Sequence, residues 1–265
     1  MNNEYTEAIV IYIDLLGIKN EITEVSFDRL YSIYKTLEKI TVLSDGNSWR
    51  MFSDTAIRIF HLNELRTKDI LYLFQNLSIE IQTELIRTNN ITCRGSIVVG
   101  NIFDENDIIF GPALVKANEI AEKKGNPPII KIDNSVIDYI RSKIYIDNDL
   151  LINPAAKSIL SRDEFIDAFL EGSTLVDQNH GRYLNYAYAP ACCMFEDDFK
   201  KYRDFLHLHK DLIDHGLKSE DNGVKQKYEW LKNYHIQVIQ RRYIEEQNKN
   251  LKLKSDEEYN SLITF

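Results

Sequence analysis

Cysteine is scarce in this chain: three occur in 265 residues, at Cys93, Cys192 and Cys193, with no C-x-x-C spacing. That odd count supports neither a disulfide framework nor a structural zinc site, and all three read as packing residues. Ten glycines and five prolines are too few for a collagen-like or low-complexity segment. No apolar run approaches the roughly 18 residues that a membrane-crossing helix needs. The opening Met1-Asn2-Asn3-Glu4 lacks the basic-then-apolar plan of a secretion signal, so the expected address is the cytoplasm, with no membrane partner. Basic charge is short as well. With 32 Lys and Arg against 41 Asp and Glu, the net charge of −9 disfavours DNA, RNA and anionic lipid as partners. A small nucleotide is compatible with such a surface, because a divalent cation neutralises a polyphosphate locally.

What is present is enough apolar residue, 44%, to bury the core of one mid-sized domain with an appendage. Ile9 to Ile13 is a β-branched and aromatic run, bounded by Asp14 and Gly17, of the length of a buried central strand. Leu30, Ile33, Tyr34, Leu37 and Ile40 recur at helical spacing up to a turn signal at Asp45-Gly46. Trp49 to Phe52 and Ala56 to Phe60 read as a hairpin with Ser53-Asp54 at its tip. A helix is expected from Lys68 to Arg87, then a strand pair, Ile91 to Val99 and Ile102 to Phe110. Gly111-Pro112 opens a third helix reaching about Lys124, and Ile129 to Ile132 is the next strand. This order predicts an α+β fold: a ferredoxin-like core, a mainly antiparallel sheet, and helices on one face. From about Phe195 two amphipathic helices, separated by residues 219–223, predict a C-terminal helical hairpin, and the polar stretch from Asn248 to Phe265 is expected to fray or dock loosely. The expected division is a catalytic domain over residues 1–190 and a helical extension over 191–265.

Two carboxylates stand out by placement. Asp14 ends a buried strand and Asp54 sits at a hairpin tip, and in the predicted core both converge on one sheet edge. Converging carboxylates suit Mg²⁺ or Mn²⁺, which take oxygen ligands and let substrate phosphates and water complete the shell. Strand-ending and turn-forming aspartates without a metal would read the same way in a sequence. His207, Asp211 and His215 share one helix face and form a weaker metal candidate. Tyr228, Trp230 and Tyr234 read as packing. No Ser-His-Asp or Cys-His pairing and no P-loop is present.

The segments Tyr12-Ile-Asp14-Leu-Leu-Gly17, Phe52-Ser-Asp54-Thr, Arg94-Gly95-Ser-Ile97 with Gly100 beyond, and Phe110-Gly111-Pro-Ala-Leu114 with Ala117 occur in a telling order. Over residues 6–135 that order and spacing resemble the class III nucleotidyl cyclase catalytic domain. Phe-Ser-Asp, Arg-Gly-Ser-Ile and Phe-Gly-Pro-Ala-Leu bring it closer to the Pycsar antiphage pyrimidine cyclases than to ordinary adenylate cyclases. The tail around Lys227-Tyr-Glu-Trp230-Leu with Tyr234-His235 is also similar to sequences of that kind. The resemblance implies that Asp14 and Asp54 bind two Mg²⁺ or Mn²⁺ ions, with the Leu15 carbonyl completing the shell and Gly17 leaving room for phosphates. It implies a ribonucleoside triphosphate substrate, UTP or CTP, cyclised to a 3′,5′-cyclic mononucleotide with loss of pyrophosphate. It further implies a homodimer with the hairpin as a clamp, and a downstream effector that responds to the product in antiphage defence.

By the same resemblance Arg50 occupies the base-selecting position, where an arginine argues against guanine; the partner position is Ile108, with Asp107 beside it. Where class III enzymes carry an Asn and an Arg for the transition state, this chain has Val115 and Glu119. Substitute cations are expected among Arg58, Arg94, Lys116 and Lys123, with Arg94 best placed at the start of its strand, and Asn118 is a more remote amide donor. This departure gives a second reading, a catalytically degenerate nucleotide- or partner-binding protein, and the shared strand order and paired acids give a third, a palm-type nucleotidyltransferase.

Overall fold

The computed structural model describes residues 4–18, 27–40, 49–106, 108–123, 125–146, 162–188, 199–248 and 256–265. The strands are β1 (Thr6–Leu15), β2 (Arg50–Phe52), β3 (Thr55–His61), β4 (Cys93–Glu105), β5 (Ile108–Phe110), β6 (Ile130–Ile132), β7 (Thr174–Asp177) and β8 (Gly181–Leu184). The helices are α1 (Phe27–Lys39), α2 (Thr67–Asn89), α3 (Pro112–Glu122), α4 (Asn134–Ile146), α5 (Arg162–Ser173), α6 (Phe199–Leu217), α7 (Asn222–Asn248) and α8 (Asp256–Ile263).

The sheet order is β2-β3-β1-β4-β6-β8-β7, with β5 paired to β4. β1 runs antiparallel to both β3 and β4, so β1-α1-β2-β3-α2-β4 is the ferredoxin-like βαββαβ unit expected from the sequence. Among the described strands, β4 and β6 alone pair in parallel. The continuous apolar run of β1 follows from burial on both faces. Ile9, Ile11, Ile13 and Leu15 enter a core completed by α1, α2, α4 and α5, while Ala8, Val10 and Tyr12 pack under Ala113, Ala117 and Ala121 of α3. Helices therefore cover both faces of the sheet, a correction to the one-sided expectation.

A second correction concerns β4. The predicted break near Gly100 does not occur, and one strand runs to Glu105 before turning at Asn106, which takes a left-handed conformation. Gly100 lies under α3, where a Cβ would meet that of Ala113 at 3.4 Å, an ordinary contact distance. Helices α4 and α5 and the β7–β8 hairpin were not anticipated.

The predicted C-terminal hairpin is α6–α7. It packs Tyr202, Phe205, Ile213, Leu231 and Tyr234 against Ile86 of α2 and Tyr183 and Tyr186 of the β8 region. Its centre is a buried polar chain whose protons can be assigned. His235 Nε2 lies 3.2 Å from the Leu262 carbonyl and must donate to it, so the neutral ring offers Nδ1 as acceptor. His209 Nδ1 donates to that nitrogen at 2.9 Å, and His209 Nε2 accepts from the Tyr186 hydroxyl at 2.9 Å. Burial holds both imidazoles below the ordinary histidine range, His235 at about 4. Residues 256–265 dock on the hairpin, contrary to expectation, while residues 249–255 lie outside the described residues: Leu262 is buried, and the Phe265 ring packs on His235 beneath the Lys210 and Lys232 ammonium groups.

Candidate active site

Asp14 is the penultimate residue of β1, where the pleat turns its side chain to the α3 face along with Tyr12. In the strand register it lies between Thr55 of β3 and Arg94 of β4. Arg94 Nε donates to Asp14 Oδ2 at 2.6 Å, and both side chains are largely buried. Burial pushes the Asp14 carboxyl above the usual carboxylate range, the Arg94 charge pulls it back down, and the negative charges of Asp54 and Glu122 push it up. Asp54 follows Ser53, whose φ of 58° makes the tight β2–β3 turn. The Leu15 N–H donates to the Asp54 carbonyl at 2.7 Å, tying the hairpin tip to the end of β1. Gly17 has a φ of 87°, with open space where a Cβ would stand. Thus Asp14, Leu15, Gly17, Asp54 and Arg94 gather at one end of the central strand.

Beneath them lies a hydrogen-bonded group of which the sequence analysis singled out only Asn118. The Tyr12 hydroxyl accepts from Asn118 Nδ2 at 2.8 Å and donates to Glu122 Oε1 at 3.0 Å, which leaves the Thr55 hydroxyl, 3.3 Å away, as a further donor. Burial raises the Tyr12 phenol above its ordinary range. The available signals were period two along β1, which puts Tyr12 beside Asp14, and the four-residue spacing of Asn118 and Glu122 on α3.

A cleft of about 560 Å³ adjoins this group. Arg94 of β4 and Glu122 at the end of α3 line it on one side, and Asp221, Lys227 and Trp230 line it from the helical hairpin; Asp14, beside Arg94, and Asp54 are not among its lining residues. Its size falls in the usual range of small-molecule sites, roughly 300–1,000 Å³. The donor set at the end of β1, two carboxylates with main-chain carbonyls, fits a hard divalent cation. Arg94 engages Oδ2 of Asp14 and leaves Oδ1 available. Among the described residues no three His, Cys, Asp or Glu side chains are grouped to hold a metal, so substrate and water oxygens would make up the shell.

No family model matches the chain. No curated protein matches it either. Solved structures similar in fold include the guanylyl cyclase Cya2, at 13% identity and a TM-score of 0.42, covering 53% of this chain and 81% of that one. The adenylyl cyclase CyaB from P. aeruginosa is 12% identical with a TM-score of 0.41, covering 52% of this chain and 82% of that one. The dimeric guanylyl cyclase domain of the RhoGC fusion protein from Blastocladiella emersonii is 14% identical with a TM-score of 0.40, covering 53% and 86%. These likenesses concern the shape of about half of this chain.

The other residues singled out in the sequence fall elsewhere. Arg50 donates to Asp104 at 2.6 Å, and Asp104 lines a separate, smaller pocket together with His61 and Glu4. Arg58 is buried on the opposite face of the sheet, donating to the Ile40 carbonyl and lying over the Phe60 ring, so it is not a cation of this site. Lys116 pairs with Asp133 at 2.7 Å. Val115 and Glu119 are exposed on α3, and Lys123 is exposed just beyond its end. Ile108 is exposed on β5, whereas Asp107 lies outside the described residues. His207, Asp211 and His215 are exposed on α6 and form no metal-holding group. Cys93 is buried, and burial pushes its thiol far up, consistent with packing; Cys192 and Cys193 lie outside the described residues. Among the described residues no helix is long and apolar enough to cross a membrane.

Proposed function

We propose that this chain is a metal-dependent nucleotidyl cyclase, converting a ribonucleoside triphosphate to a 3′,5′-cyclic mononucleotide and pyrophosphate. The observation that carries the reading is the meeting of Asp14, Asp54 and Arg94 at one end of β1 beside an open cleft. A bound Mg²⁺ or Mn²⁺ supplies the Lewis acidity that lowers the pKa of the ribose 3′-hydroxyl and neutralises phosphate charge. Asp14 and Asp54 are the residues that would hold it, with the Leu15 carbonyl beside them; two such ions are expected from the sequence resemblance. Arg94 favours the ionised form of Asp14 against the burial that disfavours it, and adds a fixed positive charge. Gly17 lets the main chain approach the phosphates. The 3′-oxygen bonds to the α-phosphorus, the bond from that phosphorus to the bridging oxygen breaks, pyrophosphate leaves, and the hydroxyl proton passes to solvent.

The resemblance to pyrimidine cyclases supports UTP or CTP as substrate and an antiphage signal as the role, with a homodimer as the working form and the effector acting through the product. In this reading residues 1–190 are the catalytic unit and residues 191–265 its helical extension. Exposed Val115 and Glu119, in place of polar transition-state donors, favour a second reading: a degenerate domain that binds a nucleotide without turning it over.

The test is incubation of the full chain with Mn²⁺ and each of ATP, GTP, CTP and UTP, with products read by mass spectrometry and Asp54→Ala as control. A cyclic mononucleotide from UTP or CTP, lost in the control, supports the whole proposal. Product from ATP or GTP alone keeps the cyclase and overturns the pyrimidine assignment. Nucleotide binding without product supports the degenerate reading, and oligonucleotide products point to the palm-type alternative.

A further inference from the structure

The cleft has two walls, and each carries a cation. Arg94 stands at the start of β4, and Lys227 stands on the second turn of α7, more than a hundred residues later in the chain. Lysines elsewhere on the molecule, such as Lys35 and Lys116, sit in ion pairs with Glu38 and Asp133. Lys227 is half-buried, and among the described residues no carboxylate lies within ion-pair distance of it. Burial and the neighbouring Arg94 charge both lower the Lys227 ammonium from its ordinary range, while Asp14 and Asp221 act from further off to raise it. The acids that share the cleft are already engaged. Asp221 caps α7, accepting from the Gly223 and Val224 N–H groups at 2.7 and 3.1 Å, and Glu122 accepts from Tyr12. Arg94 is already paired with Asp14, yet its charge still acts to lower that of Lys227, and an anion bound between the two cations would offset that repulsion.

We infer that Lys227 binds the polyphosphate tail of the substrate across the cleft from Arg94, so that the C-terminal hairpin supplies a site cation from within the same chain. This deepens the proposed cyclase reading and rests on it for the identity of the nucleotide. It also answers the deficit left by Val115 and Glu119: the missing positive charge comes from α7 instead of α3. A polyphosphate suits the gap because its charge is spread over several oxygens, allowing contacts to a guanidinium and an ammonium at once.

The experiment uses the full chain and a probe that needs no turnover, inorganic tripolyphosphate, with binding measured by calorimetry at low ionic strength. Lys227→Gln is expected to weaken tripolyphosphate binding by about tenfold or more, the loss of one charged hydrogen bond. Lys227→Arg should restore most of it, and Lys225→Gln, an exposed lysine on the same helix, should leave it unchanged. Thermal melts of all three should coincide with that of the parent chain. In cyclase assays Lys227→Gln should raise KM for the triphosphate more than it lowers kcat. Binding of equal strength in the parent and Lys227→Gln, or equal loss in Lys225→Gln, overturns the inference. Lys227-dependent tripolyphosphate binding without any cyclic product sustains it while the cyclase reading fails. Cyclic product formed with unchanged KM in Lys227→Gln overturns the inference alone.

Discussion

Arg94 and Asp14 are directly paired residues of β4 and β1, and the arginine guanidinium closes on the aspartate carboxylate at 2.6 Å in a largely buried setting. Removing one member of such a pair strands the other's charge away from water. Arg94→Ala should therefore destabilise the fold by about 3 kcal/mol. Combining it with Asp14→Asn should recover much of that loss, because no uncompensated charge remains. Urea unfolding of the two single variants and the double variant tests this, and strictly additive losses would contradict it.

Gly95 follows Arg94 and sits against the backbone of β1, where a Cβ would collide with the Tyr12 carbonyl oxygen and crowd Ile13. Neither strand can retreat, since both lie in the middle of the sheet. Gly95→Ala should cost at least about 1–3 kcal/mol, read as a lower urea midpoint. An unchanged midpoint would show that the two strands are not packed this closely.

Much of this geometry was legible in advance. A continuous apolar run marks β1, short strand-like runs flanking Ser53-Asp54 mark the β2–β3 hairpin and place its acid, helical spacing marks α2 and the α6–α7 hairpin, and Gly111-Pro112 opens α3. The strand pair was split at Gly100 because a glycine interrupts a strand pattern, whereas β4 runs straight through it. Val136 and Ile140 of α4, and Ile166 and Leu170 of α5, complete the main core, yet their short amphipathic segments carried no motif to announce them. Lys227 was invisible as a site residue for a different reason: no local pattern says that a helix late in the chain folds back to face the start of β4.

The buried pair His209 and His235 makes stability depend on pH. Both rings must stay neutral to keep their shared hydrogen bonds, and the folded-state value of His235 is about 4 against about 6.5 in an unfolded chain. Between those values the unfolded chain takes up a proton that the folded one refuses. Stability from this source is fully present above pH 6.5, declines as pH falls, and is gone by pH 4, a change of roughly 3 kcal/mol for His235. Denaturant unfolding at pH 7.5, 6, 5 and 4.5 should show this slope, and His209→Phe/His235→Leu should flatten it. Equal slopes in the two proteins would contradict the assignment.

Leu262 anchors α8, packing into the same cluster as Leu231, Tyr234 and Val238. Leu262→Ala should cost about 2–4 kcal/mol if this end of the chain is integral to the fold. A loss below about 0.5 kcal/mol, as for an exposed residue, would mean that α8 only rests on the surface.

The central claim is that Asp14 and Asp54 act together to hold divalent cations at the end of β1. Its most direct measurement is a Mn²⁺ titration by electron paramagnetic resonance in the presence of a non-cleavable nucleoside triphosphate analogue, comparing the parent chain with Asp14→Asn and Asp54→Asn. The account predicts uptake of Mn²⁺ by the parent and weakening of about 100-fold or more in each variant, the scale of losing a charged group at a catalytic centre. Uptake of equal strength in all three proteins would contradict it.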